Sequence, residues 1–214
     1  MSTRKIFSES LFEAIAENLA HLDYAVVEDI FGPEELQILR RELHACFDEG
    51  DFKEAGIGNK DLYQQNKTIR GDVIRWVDRE NTSARCHFFF DFIDDLSAYL
   101  NMTCYLGIRS QELHFAMYPA GAFYKRHLDS FQNNNARKIS VVCYLNENWH
   151  EHEGGQLRIY LPSEEGIEKT IDLLPLGGRL VCFRSDLLEH EVLPSTRERL
   201  TITGWLKNTD HGIL

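Results

Sequence analysis

The sequence of 214 residues has no run of eighteen apolar residues, so no segment has the length a membrane-spanning helix requires. Its start mixes Arg4, Lys5, Glu9, Glu13 and Glu17 into a short amphipathic stretch and lacks the apolar core of a secretory signal. Cysteines are few: Cys46, Cys86, Cys104, Cys143 and Cys182 are scattered, odd in number and free of any C-x-x-C pair. That pattern excludes the usual zinc and dithiol motifs and reads as reduced thiols, so the expected location is cytoplasmic. Positive charge is also in short supply. A formal charge of −11 gives a field that repels phosphate backbones, and no groove of interleaved basic and aromatic residues offsets it. Neither nucleic acid nor a membrane is expected as a partner, and there is no internal repeat or low-complexity tract.

What is present suffices for a core, with 43% hydrophobic and 11% aromatic residues, and the expectation is one domain over 1–214. Leu11, Phe12, Ile15, Ala16 and Leu19 recur at helical spacing behind serines placed to cap a first turn. A second helix starts at Gly32-Pro33-Glu34-Glu35, carries Leu36, Leu39, Leu43 and Phe47, and ends near Gly50. A third spans about Ser83 to Leu100, with Phe88, Phe89, Phe92, Ile93 and Leu96 along one side. Residues 1–106 thus read as mainly helical support.

Beyond Gly107 the pattern turns to short β-rich runs: Glu112 to Tyr118, Lys138 to Leu145, Gln156 to Leu161, Arg179 to Phe183 and Arg199 to Leu206. Pro119, Asn133 to Asn135, Gly154-Gly155, Gly177-Gly178 and Pro194 separate them. The class is α+β, a jelly-roll core over 107–207 with N-terminal helices and a tail at 208–214. In the last strand Arg199, Thr201, Thr203 and Trp205 share one face, while Leu200, Ile202 and Leu206 share the other. On pattern alone the polar face meets either water or the inside of a barrel.

His127-Leu128-Asp129 points an imidazole and a carboxylate to one side of an extended chain, and His190, before the turn at Pro194, is a third donor. Two histidines and a carboxylate leave three positions of an octahedral metal open, the arrangement of non-heme iron(II) oxygenases. The spacing is weak by itself, since His21-Leu22-Asp23 repeats it at the end of the first helix. His150-Glu151-His152 competes, but sits in a polar stretch before Gly154-Gly155 and reads as a solvated loop.

A longer ordered set joins these residues: Arg70-Gly71-Asp72-Val73-Ile74-Arg75-Trp76, Tyr118-Pro119, Tyr124 to Asp129, Tyr144-Leu145-Asn146, Trp149, Gly154 to Tyr160, His190-Glu191-Val192 and Arg199 to Trp205. The set resembles the prolyl hydroxylases of the iron(II)/2-oxoglutarate oxygenase superfamily, especially the hypoxia-inducible-factor prolyl hydroxylases and their bacterial relatives. It covers residues 65 to 207, and the step from His190 to Arg199 agrees with the family spacing. The resemblance implies a double-stranded β-helix. It implies iron(II) on His127, Asp129 and His190, and the far carboxylate of 2-oxoglutarate on Arg199, with a hydrogen bond from Tyr144. Tyr118, Thr203 and Trp205 line the same pocket by family position, Thr203 beside that carboxylate and Tyr118 nearer the metal. O2 is the co-substrate and ascorbate a possible reductant. The segment from Tyr118 to His127 is one residue shorter than in the animal enzymes, which bears on the pocket rim.

The implied substrate is a prolyl residue on an exposed loop of a protein, with a translation elongation factor as the partner class to test if the source is bacterial. Residues 51–80 form the substrate-covering loop in this reading, because in the resembled hydroxylases the Arg70 to Trp76 motif follows a loop that folds over the peptide. From 51 to 85 there are seven basic residues against six acidic, a less repulsive approach for an acidic partner. Two alternatives stay open: the same chemistry on a free amino acid or other small molecule, and a non-catalytic metal-binding jelly-roll module.

Overall fold

The computed structural model describes residues 7–56, 69–130, 136–162 and 167–209. Three helices come first. Helix α1 (Glu9–Leu22) buries Phe12, Ile15, Ala16 and Leu19; Ser8 is its N-cap, yet the Ser8 hydroxyl makes no capping bond, contrary to expectation. Helix α2 (Pro33–Asp48) starts on proline, the Glu35 carboxylate accepts the Gly32 N–H at 2.8 Å, and Gly50 past its end has φ +82°. Helix α3 (His87–Cys104) buries Phe89, Phe90, Phe92, Ile93, Leu96 and Leu100.

The strands are β1 (Tyr24–Val27), β2 (Lys53–Glu54), β3 (Val73–Val77), β4 (Ser110–Tyr118), β5 (Tyr124–His127), β6 (Arg137–Tyr144), β7 (Leu157–Leu161), β8 (Lys169–Leu173), β9 (Leu180–Arg184), β10 (His190–Val192) and β11 (Arg199–Lys207). They form two sheets, in the orders β1-β9-β6-β11-β4-β3-β2 and β5-β10-β7-β8, with every pairing antiparallel. The five long β-rich runs of the sequence are β4, β6, β7, β9 and β11. The strands not anticipated are short or lack clear alternation, and three of them, β1 to β3, come from the part read as helical support.

Strand parity divides the core in two. Leu113, Phe115, Met117, Ile139, Val141, Cys143, Leu180, Cys182, Leu200, Ile202 and Leu206 face the helices and pack with Leu39, Leu43, Phe89 and Phe92. The alternate residues, among them Ala116, Tyr118, Val142, Tyr144, Val181 and Phe183, face the smaller sheet's Leu157, Ile159 and Val192. Strand β11 lies between β6 and β4 near the centre of the larger sheet, so its polar face looks into the space between the sheets and not to water. Truncating a fully buried leucine such as Leu39 or Leu43 to alanine should cost about 2 to 5 kcal/mol.

The segment before β3 closes one side of this space. Lys125 N–H donates to Ile69 O at 2.9 Å and Gly71 N–H to Phe123 O at 3.0 Å, while Val73–Val77 continues into the larger sheet beside β4. The heart of the covering loop expected over 51–80, residues 57–68, lies outside the described residues. The charge argument for that segment is weaker than its composition: Arg70 pairs with Asp72, Arg75 with Asp51, and Arg79 with Asp91 and Asp94. No helix among the described residues is long and apolar enough to cross a membrane.

Candidate active site

His127 is the last residue of β5 and stands directly across from His190, the first of β10. The sheet register thus makes neighbours of two histidines far apart in the chain. Asp129 lies just beyond the end of β5, in a bend and not in the extended strand assumed from the spacing, but on the same side. Its Oδ1 is 3.5 Å from His127 Nε2 and its Oδ2 is 3.5 Å from His190 Nε2. One donor atom from each residue lies within 4.8 Å of the others, and this is the one such group of three among the described residues.

Each member is aimed by a second contact. His127 Nδ1 is 2.7 Å from the Lys125 carbonyl and His190 Nδ1 is 3.2 Å from the Leu188 carbonyl. A carbonyl only accepts, so Nδ1 is the donor in both rings and Nε2 is the atom turned toward the centre. The Ser140 hydroxyl donates to Asp129 Oδ2 at 2.7 Å, and Arg137 donates to the Asp129 carbonyl at 3.1 Å. Burial acts to raise the Asp129 carboxyl, but His190, His127 and Ser140 outweigh it and hold the group well below the usual carboxylate range. Burial, reinforced by His127, pushes His190 down to about 4, so its imidazole is neutral at physiological pH.

Arg199 lies on the same interior face at the other end of β11. It is 2% exposed, and no carboxylate of the described residues lies within ion-pair distance of it. Nε donates to Gly155 O at 2.9 Å, and the guanidinium carbon is 5.1 Å from the Tyr118 ring and 5.0 Å from the Tyr144 ring. The Tyr144 hydroxyl is buried without a hydrogen-bond partner. An unpaired buried cation and an unpaired buried hydroxyl together call for an anion. Gly154 and Gly155 make room: both have positive φ, and a Cβ on Gly155 would stand 3.0 Å from Trp149 Cζ2 and 3.4 Å from Arg199 Cδ.

The strand register fixes where the remaining wall residues start from the backbone. Tyr118 is the cross-strand partner of Arg199, whereas Thr203 lies four residues toward the metal end, opposite His114 and Val142, its hydroxyl 3.1 Å from that of Thr201. Thr201, paired with Tyr144, is therefore the threonine nearer Arg199. Trp205 is opposite Ser140 and Glu112; Arg137 lies 3.5 Å from its ring centre, and its Nε1 is buried and unpartnered.

A family model for the 2OG-Fe(II) oxygenase superfamily matches residues 113–207, which span the triad and Arg199. A crystal structure of a Pseudomonas putida prolyl-4-hydroxylase superposes with a TM-score of 0.81 at 37% identity, covering 92% of this chain and 99% of that one. The chain belongs to the 2OG-Fe(II) oxygenase superfamily. A prolyl hydroxylase from Trichoplax adhaerens, solved in complex with a hypoxia-inducible factor oxygen degradation domain peptide, gives a TM-score of 0.82 at 27% identity over 94% of this chain and 90% of that one. A hypoxia-inducible factor prolyl hydroxylase of Caenorhabditis elegans is 30% identical over 90% of this chain, which spans 28% of that protein's length.

Membership in this oxygenase superfamily implies iron(II) and 2-oxoglutarate, and the residues present fit both. Two imidazoles and a carboxylate suit iron(II) with open positions, and Arg199 with Tyr144 suits a carboxylate. The decoys fall away. His21 is exposed at the end of α1, and His150 and His152 stack on each other on the surface at 5.6 Å. Ser140, Tyr124, the Arg70–Asp72 pair and His114 were not picked out by role. For Ser140 the available signal was a polar residue inside the apolar run Ile139-Ser140-Val141-Val142.

Proposed function

We propose that this protein is an iron(II)- and 2-oxoglutarate-dependent dioxygenase that hydroxylates a prolyl residue of a protein, with succinate and CO2 as co-products. The observation that carries the oxygenase reading is the buried, carboxylate-free Arg199, set on the strand face that also looks toward the triad. A metal-holding interaction module has no use for it. In this reading His127, Asp129 and His190 ligate the metal, while Arg199 and Tyr144 receive the far carboxylate of 2-oxoglutarate. Tyr118, Thr201, Thr203 and Trp205 form the wall between. Bound together, iron and 2-oxoglutarate reduce O2 with loss of CO2 and supply the oxygen atom that enters a C–H bond.

The chain's own residues bind, orient and exclude water. Val142, Val181, Phe183, Leu188 and Val192 make the interior apolar, which strengthens every electrostatic contact within it and shields a reactive oxidant. A protein substrate, rather than a free amino acid, is supported by likeness to prolyl hydroxylases, one of them bound to a peptide. The test is mass spectrometry of prolyl peptides and folded candidate proteins, a bacterial elongation factor first if the source is bacterial, after incubation with iron(II), 2-oxoglutarate and ascorbate. Succinate formed in step with a +16 Da prolyl product supports the proposal. Equal turnover of free proline would keep the oxygenase and overturn the protein substrate, and absence of succinate with any acceptor would overturn both.

A further inference from the structure

The two histidines of the triad are supported very differently. His190 is 5% exposed and has the Phe183 ring against it at 4.6 Å, so the core itself fixes its plane. His127 stands nearer the surface, with its side chain 17% exposed, and the Lys125 carbonyl fixes only the direction of Nδ1. One hydrogen bond leaves the imidazole free to rock about the line through Cβ and that bond. Two rings lie against it: His190 meets it tilted, at 4.2 Å and 55°, whereas Tyr124 stacks flat on it, at 3.6 Å between centroids and 17° between planes, and so restrains that rocking most directly.

Tyr124 is itself held. The guanidinium of Arg70 lies 4.2 Å from its ring centre, and Arg70 is locked onto Asp72 by two hydrogen bonds of 2.7 and 2.6 Å. Asp72 is 3% exposed, so this pair is a rigid, charge-balanced plate. Arg70 also donates to Gly56 O at 3.2 Å, and the backbones of 69–71 and 123–125 are hydrogen-bonded. A continuous line of contacts therefore runs from Gly56 through Arg70 and Tyr124 to the His127 imidazole.

We propose that Tyr124, backed by the Arg70–Asp72 pair, is a positioning residue for His127, setting the plane of that imidazole and with it the affinity and ligand field of the metal. This rests on the metal-centre reading above. The stack contributes what an outer contact to a metal ligand commonly does, and its loss should weaken metal binding about tenfold. A tyrosine placed only to fill space would affect folding but leave the ligand field unchanged.

The test uses metal alone. Manganese(II) binding to the metal-free protein is followed by EPR, and the visible bands of the cobalt(II) form report the ligand field, for wild type, Tyr124→Leu, Tyr124→Phe and Asp129→Ala. Tyr124→Leu is expected to bind manganese(II) about tenfold more weakly and to shift the cobalt(II) bands, while Tyr124→Phe, which keeps the stack, matches wild type. If Tyr124→Leu does not fold, the double variant Arg70→Gln/Asp72→Asn removes the charged plate while keeping the ring, and a smaller loss with a band shift is expected. A folded Tyr124→Leu with wild-type affinity and spectrum overturns the proposal, as does the double variant with both unchanged should Tyr124→Leu not fold. Wild-type binding that survives Asp129→Ala would instead overturn the metal centre itself.

Discussion

Replacing Arg199 by methionine separates binding from stability, because the side chain is both buried and unpaired. In the protein without cosubstrate, the change removes a cation that is 2% exposed and has no carboxylate partner, and gives up one hydrogen bond to Gly155 O. Removing the charge relieves desolvation, while the lost bond leaves a carbonyl short of a donor at a cost of about 1 to 3 kcal/mol. The two oppose each other, so urea melts should move by no more than about 2 kcal/mol. With 2-oxoglutarate present the balance changes: losing a charge-assisted pair in a shielded site costs about 2 to 5 kcal/mol, a weakening of roughly 30-fold to a few thousandfold. Calorimetric titration of 2-oxoglutarate into the anaerobic manganese(II) protein reads this directly. Thermal shift gives a second reading, since ligand at about 100 times the wild-type Kd adds about 2.7 kcal/mol to wild type and should add less than about 1 kcal/mol to the variant. Manganese(II) affinity should stay unchanged. Equal 2-oxoglutarate affinity in the two proteins would refute the assignment, and so would a variant that unfolds without ligand, because that would make Arg199 a structural residue.

Asp129→Ala should abolish measurable iron(II) binding and turnover, whereas His150→Ala should leave both within about twofold, since His150 is a surface residue away from the triad; metal titration and succinate formation check the pair. His114 is 3% exposed, and burial, followed by Arg70 and Arg137, pushes it down to about 3 from an ordinary value near 6.5. Between those values the unfolded chain binds a proton that the folded protein does not, so stability is full above about pH 6.5 and falls on acidification by up to ~1.4 kcal/mol per pH unit. Urea melts at pH 5 and pH 7 should show a slope that His114→Leu reduces, and identical slopes would contradict the assignment. Gly155→Ala meets both a φ of +72° and the close Trp149 and Ser195 atoms, so it should destabilise by about 1 to 3 kcal/mol and weaken 2-oxoglutarate binding, read by melts and the same titration.

The helices were legible because each buries one side, so the spacing of Phe12, Ile15 and Leu19, or of Phe89, Ile93 and Leu96, shows in the sequence. The longer strands were legible through their parity, and the site through an ordered set of uncommon residues. Strands β5 and β10, which hold the two histidines, were not marked as strands. They are four and three residues long, too short for alternation to register. The stack of Tyr124 on His127 was hidden for another reason. The two residues are three apart on one strand, which nominally places them on opposite faces, and the register shift between His190 and Val192 opposite is the irregularity there.

The sequence by itself determined which side chains carry chemistry and which way each points from its own segment, because helical and strand periods are local properties. Spacing alone could not separate His127-Leu128-Asp129 from His21-Leu22-Asp23, nor pattern alone say whether the polar face of Arg199 to Trp205 meets water; the family resemblance favoured His127 and an interior face, and the tertiary structure supplied the geometry behind both. Pairing β5 with β10 places His190 across from His127, Ser140 reaches Asp129 from the other sheet, and the central place of β11 buries Arg199 without a counter-charge. Such convergence depends on strand register between distant segments, and register is set by how the whole core packs.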